Sequence, residues 1–138
     1  MKYFTVKELV PPSVYQVRGE ASIELMDDRI IMGADWLREL FGAITVNGTF
    51  GGKVFTESGL RDPFTKTGAK YSQHKFGRAL DLKFHKTTPQ AVYAFIMANQ
   101  DEARKFGITT VEDIADTPTW LHISCQVHRG NGIRVVKP

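Results

Sequence analysis

The chain has a single cysteine, Cys125, so no intramolecular disulfide can form and stability must come from an apolar core. It lacks any run approaching ~20 apolar residues, so no segment is expected to span a membrane. The opening MKYFTVKELVPP has no apolar stretch behind its first lysine, so no secretory signal is expected, and cytoplasmic synthesis is the expectation. Charge of one sign is also scarce. Eighteen Lys and Arg stand against fifteen Asp and Glu, scattered along the chain, which argues against a dedicated nucleic-acid binder. A mild net charge of +3 suits a partner that carries carboxylates, such as a bacterial cell wall. No repeat, low-complexity tract or linker divides the sequence. With 42% apolar and 24% charged residues over 138 positions, the expectation is one globular domain spanning residues 1–138.

Periodicity supplies the elements. Residues 1–26, with Pro11, Pro12 and Gly19, read as irregular chain with at most one short helix. From Asp27 to Phe41, Ile30, Ala34, Leu37 and Phe41 recur at helical spacing, with an Asp cap before them and Gly42 as a stop. Ile44 to Val46 reads as a strand, Asn47-Gly48 as a two-residue turn, and Lys53 to Gly59 as another strand. Residues 62–73 read as a loop. Leu80 to Phe84 alternates apolar and polar residues, predicting a strand with one buried face. Thr88-Pro89 opens a helix through Met97, and a further helix covers Asp101 to Phe106. Leu121 to Val127 and Ile133 to Val136 read as strands, with residues 129–132 as the turn between them. Helices and mainly antiparallel strands mix without a βαβ rhythm, so the class is α+β.

The chemistry concentrates in Ser72-Gln73-His74-Lys75-Phe76-Gly77-Arg78-Ala79-Leu80-Asp81. A catalytic zinc takes three protein ligands from imidazole, thiolate or carboxylate and keeps one position open. A loop histidine and a strand aspartate seven residues apart can converge across a tight turn, for which Gly77 supplies backbone freedom. His122, behind Trp120 on a late strand, is the best third ligand; His85 and His128 lack such a context. Spacing alone leaves the bland alternative open, because two histidines and an aspartate also occur by chance. Cys125, three residues after His122, should face away from it and reads as a buried small hydrophobe.

Ser72, His74, Gly77, Ala79 and Asp81, followed by Trp120 and His122, form a pattern that resembles the zinc D-alanyl-D-alanine carboxypeptidases. That family includes phage L-alanyl-D-glutamate endolysins and shares its fold with the hedgehog signalling domain. Ser58-Gly59-Leu60-Arg61 is similar to the Ser-Gly-Tyr-Arg segment that precedes the metal motif in these enzymes, and the matching blocks span roughly half the chain. The resemblance implies a hedgehog/DD-peptidase-like fold, one zinc ion on His74, Asp81 and His122, and hydrolysis of peptidoglycan stem peptides by an activated water. It gives Arg61 a substrate carboxylate or the reaction's oxyanion to bind, for which a guanidinium fork is suited. Ser72 would support the loop or orient a ligand, and Trp120 would line the substrate cleft. A phage or prophage product acting on the wall after release is the source it implies.

The general base is where the pattern departs. Many members place an acidic residue three positions before the last histidine, where this chain has Thr119. Others use a histidine two before, which is Trp120 here. The hedgehog-like arrangement, six before, gives Asp116, with Glu112 and Asp113 behind it. A different class of function therefore stands beside the enzyme: a non-catalytic binding module of the same fold that keeps zinc for stability. The first 40 residues, by position, are expected to build one wall of the cleft.

Overall fold

The computed structural model describes all 138 residues, and it starts with helix where the residues alone predict irregular chain. In α1 (Val6–Leu9) the Glu8 carboxylate accepts hydrogen bonds from the Thr5 N–H and hydroxyl at 2.6 and 2.9 Å. Pro12 occupies the first position of α2 (Pro12–Arg18), where its missing N–H costs nothing. Gly19, with φ near 58°, ends that helix and begins a 3-10 segment through Leu25. The prolines and glycine that read as breakers are a helix start and a helix stop.

The amphipathic stretch forms α3 (Asp28–Phe41) as expected, burying Ile30, Ala34 and Leu37 completely. Trp36 on its face stacks on Phe106 with ring centroids 5.0 Å apart. Asp27 caps it, accepting from the Arg29 N–H at 2.9 Å and pairing with the Arg29 guanidinium. The Arg29 hydrogen bonds outweigh partial burial and hold the Asp27 carboxyl at about 2. A carboxyl depressed in the folded state stabilises above its unfolded pKa of ~3.9, and that stability is lost as pH falls toward the folded value. Asp27→Ala is therefore expected to cost about 1 kcal/mol at neutral pH, a deficit that closes between about pH 4 and about pH 2. Urea unfolding at stepped pH reads both; a deficit constant with pH would assign the loss to packing instead.

Strand β1 (Ile44–Thr45) precedes a hairpin of β2 (Gly48–Phe50) and β3 (Lys53–Phe55). The hairpin turns at Gly51-Gly52, with φ near 58° and 78°, rather than at Asn47-Gly48. Asn47 is buried instead. Its side chain donates to the Val10 carbonyl at 3.1 Å and accepts from the Ser58 N–H at 3.0 Å, tying three distant segments together. The strand expected through Gly59 stops at Phe55.

Strand β4 (Ala79–Phe84), the helices α4 (Pro89–Ala98) and α5 (Gln100–Lys105), and strands β5 (Thr110–Glu112), β6 (Leu121–Ser124) and β7 (Arg134–Val136) complete the chain. The main sheet runs β1-β4-β6-β5-β7, antiparallel except for β5 beside β7. Both edges of β6 are taken by β4 and β5, so β7 cannot return as its hairpin partner. Residues 129–132 accordingly do not form a tight hairpin turn, and β6 ends at Ser124 rather than Val127. Alternation in β4 predicts one buried face, but both are covered: Leu80, Leu82 and Phe84 on one, with Lys83 only 1% exposed on the other. This is an α+β domain with a mainly antiparallel sheet and flanking helices, and none of its helices is long and apolar enough to cross a membrane.

Candidate metal centre

Three local devices bring His74, Asp81 and His122 together. The Ser72 hydroxyl accepts from the His74 N–H at 3.3 Å, opening a single 3-10 turn from Gln73 to Phe76. Gly77 then takes a left-handed conformation, φ near 67°, packed so closely on the Leu25 carbonyl and Met26 that a Cβ would collide. The turn delivers the chain into β4, where Asp81 sits directly opposite His122 on β6. Two of the candidate ligands are thus cross-strand neighbours, and the third reaches them around the glycine.

His74 Nδ1 lies 2.9 Å from the Gly59 carbonyl, which can only accept, so Nδ1 carries a hydrogen and Nε2 is the nitrogen turned toward Asp81. That Nε2 is 3.3 Å from Asp81 Oδ1, and His122 Nδ1 is 2.9 Å from the same oxygen. The two imidazoles meet edge to face, and the three donor atoms lie within 4.8 Å of one another. Burial works to raise the Asp81 pKa, but hydrogen bonds with His122 and His74 outweigh it and hold the carboxyl far below the ordinary range. Two imidazole nitrogens aimed at one carboxylate oxygen satisfy it only by carrying protons, whereas a cation between them satisfies all three lone pairs. The group therefore has the donor set and spacing to hold a metal ion.

The trio opens on a cavity of about 410 Å³ that also takes in Arg61, Ser72, Glu112, Asp116 and Trp120. A roomier apolar hollow of about 770 Å³ over Ile31, Met32 and Leu40 shares no lining residue with it and offers no comparable donors. Arg61 is anchored by Nε to the Glu57 carbonyl at 2.9 Å, with a guanidinium nitrogen 3.6 Å from Asp81 Oδ2. Its charge thus faces the His74, Asp81 and His122 trio, and no pairing with the Glu57 or Asp62 carboxylates removes it. Among the three acidic candidates, Glu112 comes closest, with a carboxylate oxygen 3.6 Å from His122 Nδ1. Asp116 lines the cavity farther out, its carboxylate held 3.1 Å from Lys137, and Asp113 pairs with the same lysine at 3.0 Å.

One buried neighbour of the trio escapes a reading of the sequence. Lys83 is buried two residues after Asp81, its ammonium donating to the Ser58 hydroxyl at 2.7 Å and to the Val46 carbonyl. It lies 4.2 Å from the Phe55 ring, and burial lowers its pKa to about 8 against the pull of Asp81. The usable signal was its position: two residues along a strand share a face, so a lysine there belongs beside the aspartate. Residues 1–40 line no part of the cavity. They brace it from behind, through the Leu9 carbonyl on the Leu60 N–H at 2.8 Å and the Asp27 N–H on the Gly77 carbonyl at 2.9 Å. His85 pairs with Thr45, and His128 is held by the Gly130 N–H and lies against Arg104, so neither joins the trio. Cys125 is wholly buried, its thiol pushed up to about 11 by desolvation, and is not among the ligands. No family model, curated protein or solved structure matches the chain.

Proposed function

We propose that this protein is a zinc-dependent peptidase of hedgehog/DD-peptidase-like fold that hydrolyses peptide bonds in peptidoglycan stem peptides. The observation that carries the reading is the convergence of His74, Asp81 and His122 in a cavity that also holds Arg61 and Glu112. Two nitrogens and one carboxylate oxygen are a ligand set of catalytic zinc, and they leave room for a further ligand. Zinc held there supplies Lewis acidity and makes water a usable nucleophile near neutral pH.

The chain's own groups do the rest. Glu112 takes the proton of the attacking water and returns it to the leaving amine, so one water and one peptide become an acid and an amine. Arg61 offers its free guanidinium nitrogens to the oxyanion that develops on the scissile carbonyl, or to a substrate carboxylate. Ser72 holds the turn that aims His74, and Trp120 forms the cavity wall. Asp116, the base implied by resemblance, is tied to Lys137 and stands second to Glu112. The phage or prophage source rests on resemblance alone.

Thr119, where many relatives by motif carry an acid, supports the second reading, a zinc-stabilised binding module. Digestion of purified peptidoglycan separates the two, with zinc measured by elemental analysis on tag-free protein. The enzyme releases new amino groups, stops with chelator and recovers with zinc. Stoichiometric zinc without cleavage across several wall types favours the module, and protein that binds no zinc contradicts both.

A further inference from the structure

Lys83 is the bulkiest side chain that the fold buries below 2% exposure, and it ends in an amino group rather than in hydrocarbon. Its ammonium donates to the Val46 carbonyl, to the Ser58 hydroxyl at 2.7 Å and to the Asp81 carbonyl at 3.3 Å. Three N–H groups thus meet three acceptors, none of them a carboxylate, with the Phe55 ring centroid 4.2 Å away. A buried cation without an anion hydrogen-bonded to it costs more than an apolar side chain of similar volume. Filling the core therefore does not account for a lysine here; the account lies in what it holds.

Ser58 opens a short segment, Ser58 to Arg61, whose backbone is bonded to two members of the trio. The Ser58 carbonyl accepts from the Asp81 N–H at 2.7 Å, and the Gly59 carbonyl accepts from His74 Nδ1 at 2.9 Å. The Arg61 N–H donates to the His74 carbonyl at 3.1 Å. Asn47 and Leu9 anchor the same segment to the N-terminal half, through the Ser58 and Leu60 N–H groups. Lys83 is the side chain that ties it to β4, gripping the Ser58 hydroxyl with one N–H and the Asp81 carbonyl with another. We propose that Lys83 is a positioning residue of the metal centre: it locks Ser58 against Asp81, keeps the Gly59 carbonyl on His74, and so sets how tightly the trio holds its metal. This inference rests on reading the trio as a zinc site and extends that reading to the group that aims the ligands. Loss of one partner behind a ligand commonly weakens metal affinity about 10–100-fold. Through-space charge has the opposite sign, because removing a cation beside a metal site tightens metal binding. The direction of the change therefore distinguishes aim from charge.

The test measures zinc Kd on the full chain, by competition with a chelator, for wild type and three variants. Lys83→Met keeps most of the stem and removes the donors, and should raise Kd about 10-fold or more. Ser58→Ala cuts the link while leaving the charge, and should raise Kd in the same direction by about 5-fold or more. Val92→Ala, at a buried position of α4 outside this network, should lower Tm through lost packing yet leave Kd within about 2-fold of wild type. It separates loss of stability from loss of aim. Cobalt(II) in place of zinc gives a second readout, since its d–d absorption bands follow ligand geometry. Those bands should change in Lys83→Met and Ser58→Ala and stay as in wild type in Val92→Ala. If Ser58→Ala holds zinc as tightly as wild type, or Lys83→Met holds it more tightly, the inference is overturned while the trio stands as a metal site. Ser58→Ala decides alone where Lys83→Met does not fold. Wild-type protein that binds neither zinc nor cobalt overturns the metal reading and this inference together.

Discussion

Asp81→Asn is expected to strip the protein of metal, from about one equivalent of zinc to below about a tenth. Asparagine keeps the shape but removes the charge that two imidazoles face, and its amide can present N–H groups to them. The same substitution should abolish the stabilisation that zinc confers. Wild-type protein at a free zinc concentration of about 100 times Kd gains about 2.7 kcal/mol, which for a domain of this size raises Tm by about 10 °C. The variant should shift by less than about 2 °C. Elemental analysis beside thermal scans with and without zinc measures both effects. An Asp81→Asn protein that binds and responds like wild type would remove the trio from consideration as a metal site.

Glu112→Gln should leave zinc content and fold intact while lowering kcat by about 10²–10⁴-fold, the usual contribution of a positioned general base. The change is isosteric, and Glu112 closes β5 with its side chain in the cavity, so no packing is lost. Asp116→Asn, by contrast, breaks only an exposed pairing with Lys137 and should stay within about 3-fold of wild type. Steady-state kinetics on one soluble peptide, with metal content checked for each variant, decides between them. A large loss in Asp116→Asn and a small one in Glu112→Gln would exchange the two roles.

What the sequence made legible was mostly local. α3 could be read because its cap, its apolar period and its terminal glycine all lie within sixteen residues. The helix opened by Thr88 and Pro89 was legible for the same reason: the Thr88 hydroxyl accepts from Ala91 and the proline follows it. The trio was nameable because His74 and Asp81 flank one turn and the motif that carries them, together with His122, resembles a zinc-peptidase pattern, although only β4–β6 pairing shows why His122 meets them. What stayed hidden depends on partners far along the chain. Asn47-Gly48 has turn chemistry, but burying the Asn47 amide between Val10 and Ser58 outweighs it, and the neighbouring Gly51-Gly52 accepts the turn. Lys83 reads as a solvent-facing strand residue until the hairpin and Ser58 cover it. The order of Glu112 and Asp116 could not be read from motif spacing, because β5 joins the sheet beside β6 and carries Glu112 to His122.

The brace behind the site has a kinetic meaning. His74 is aimed by the Gly59 carbonyl, and Gly59 lies flush on the backbone of Leu9, beside the Leu60 N–H that bonds the Leu9 carbonyl. The orientation of one ligand is thus inherited from a contact that closes a loop of about fifty residues. Contacts of such long sequence separation form slowly, because the chain entropy must be lost before they hold. A refolding chain that has built β4 against β6 already pairs Asp81 with His122, yet it presents His74 correctly only once the N-terminal segment has docked. On the reading proposed above, metal capture by all three residues requires both the β4–β6 pairing and the docked N-terminal segment, so the rate of zinc uptake during refolding is expected to report the slower of the two.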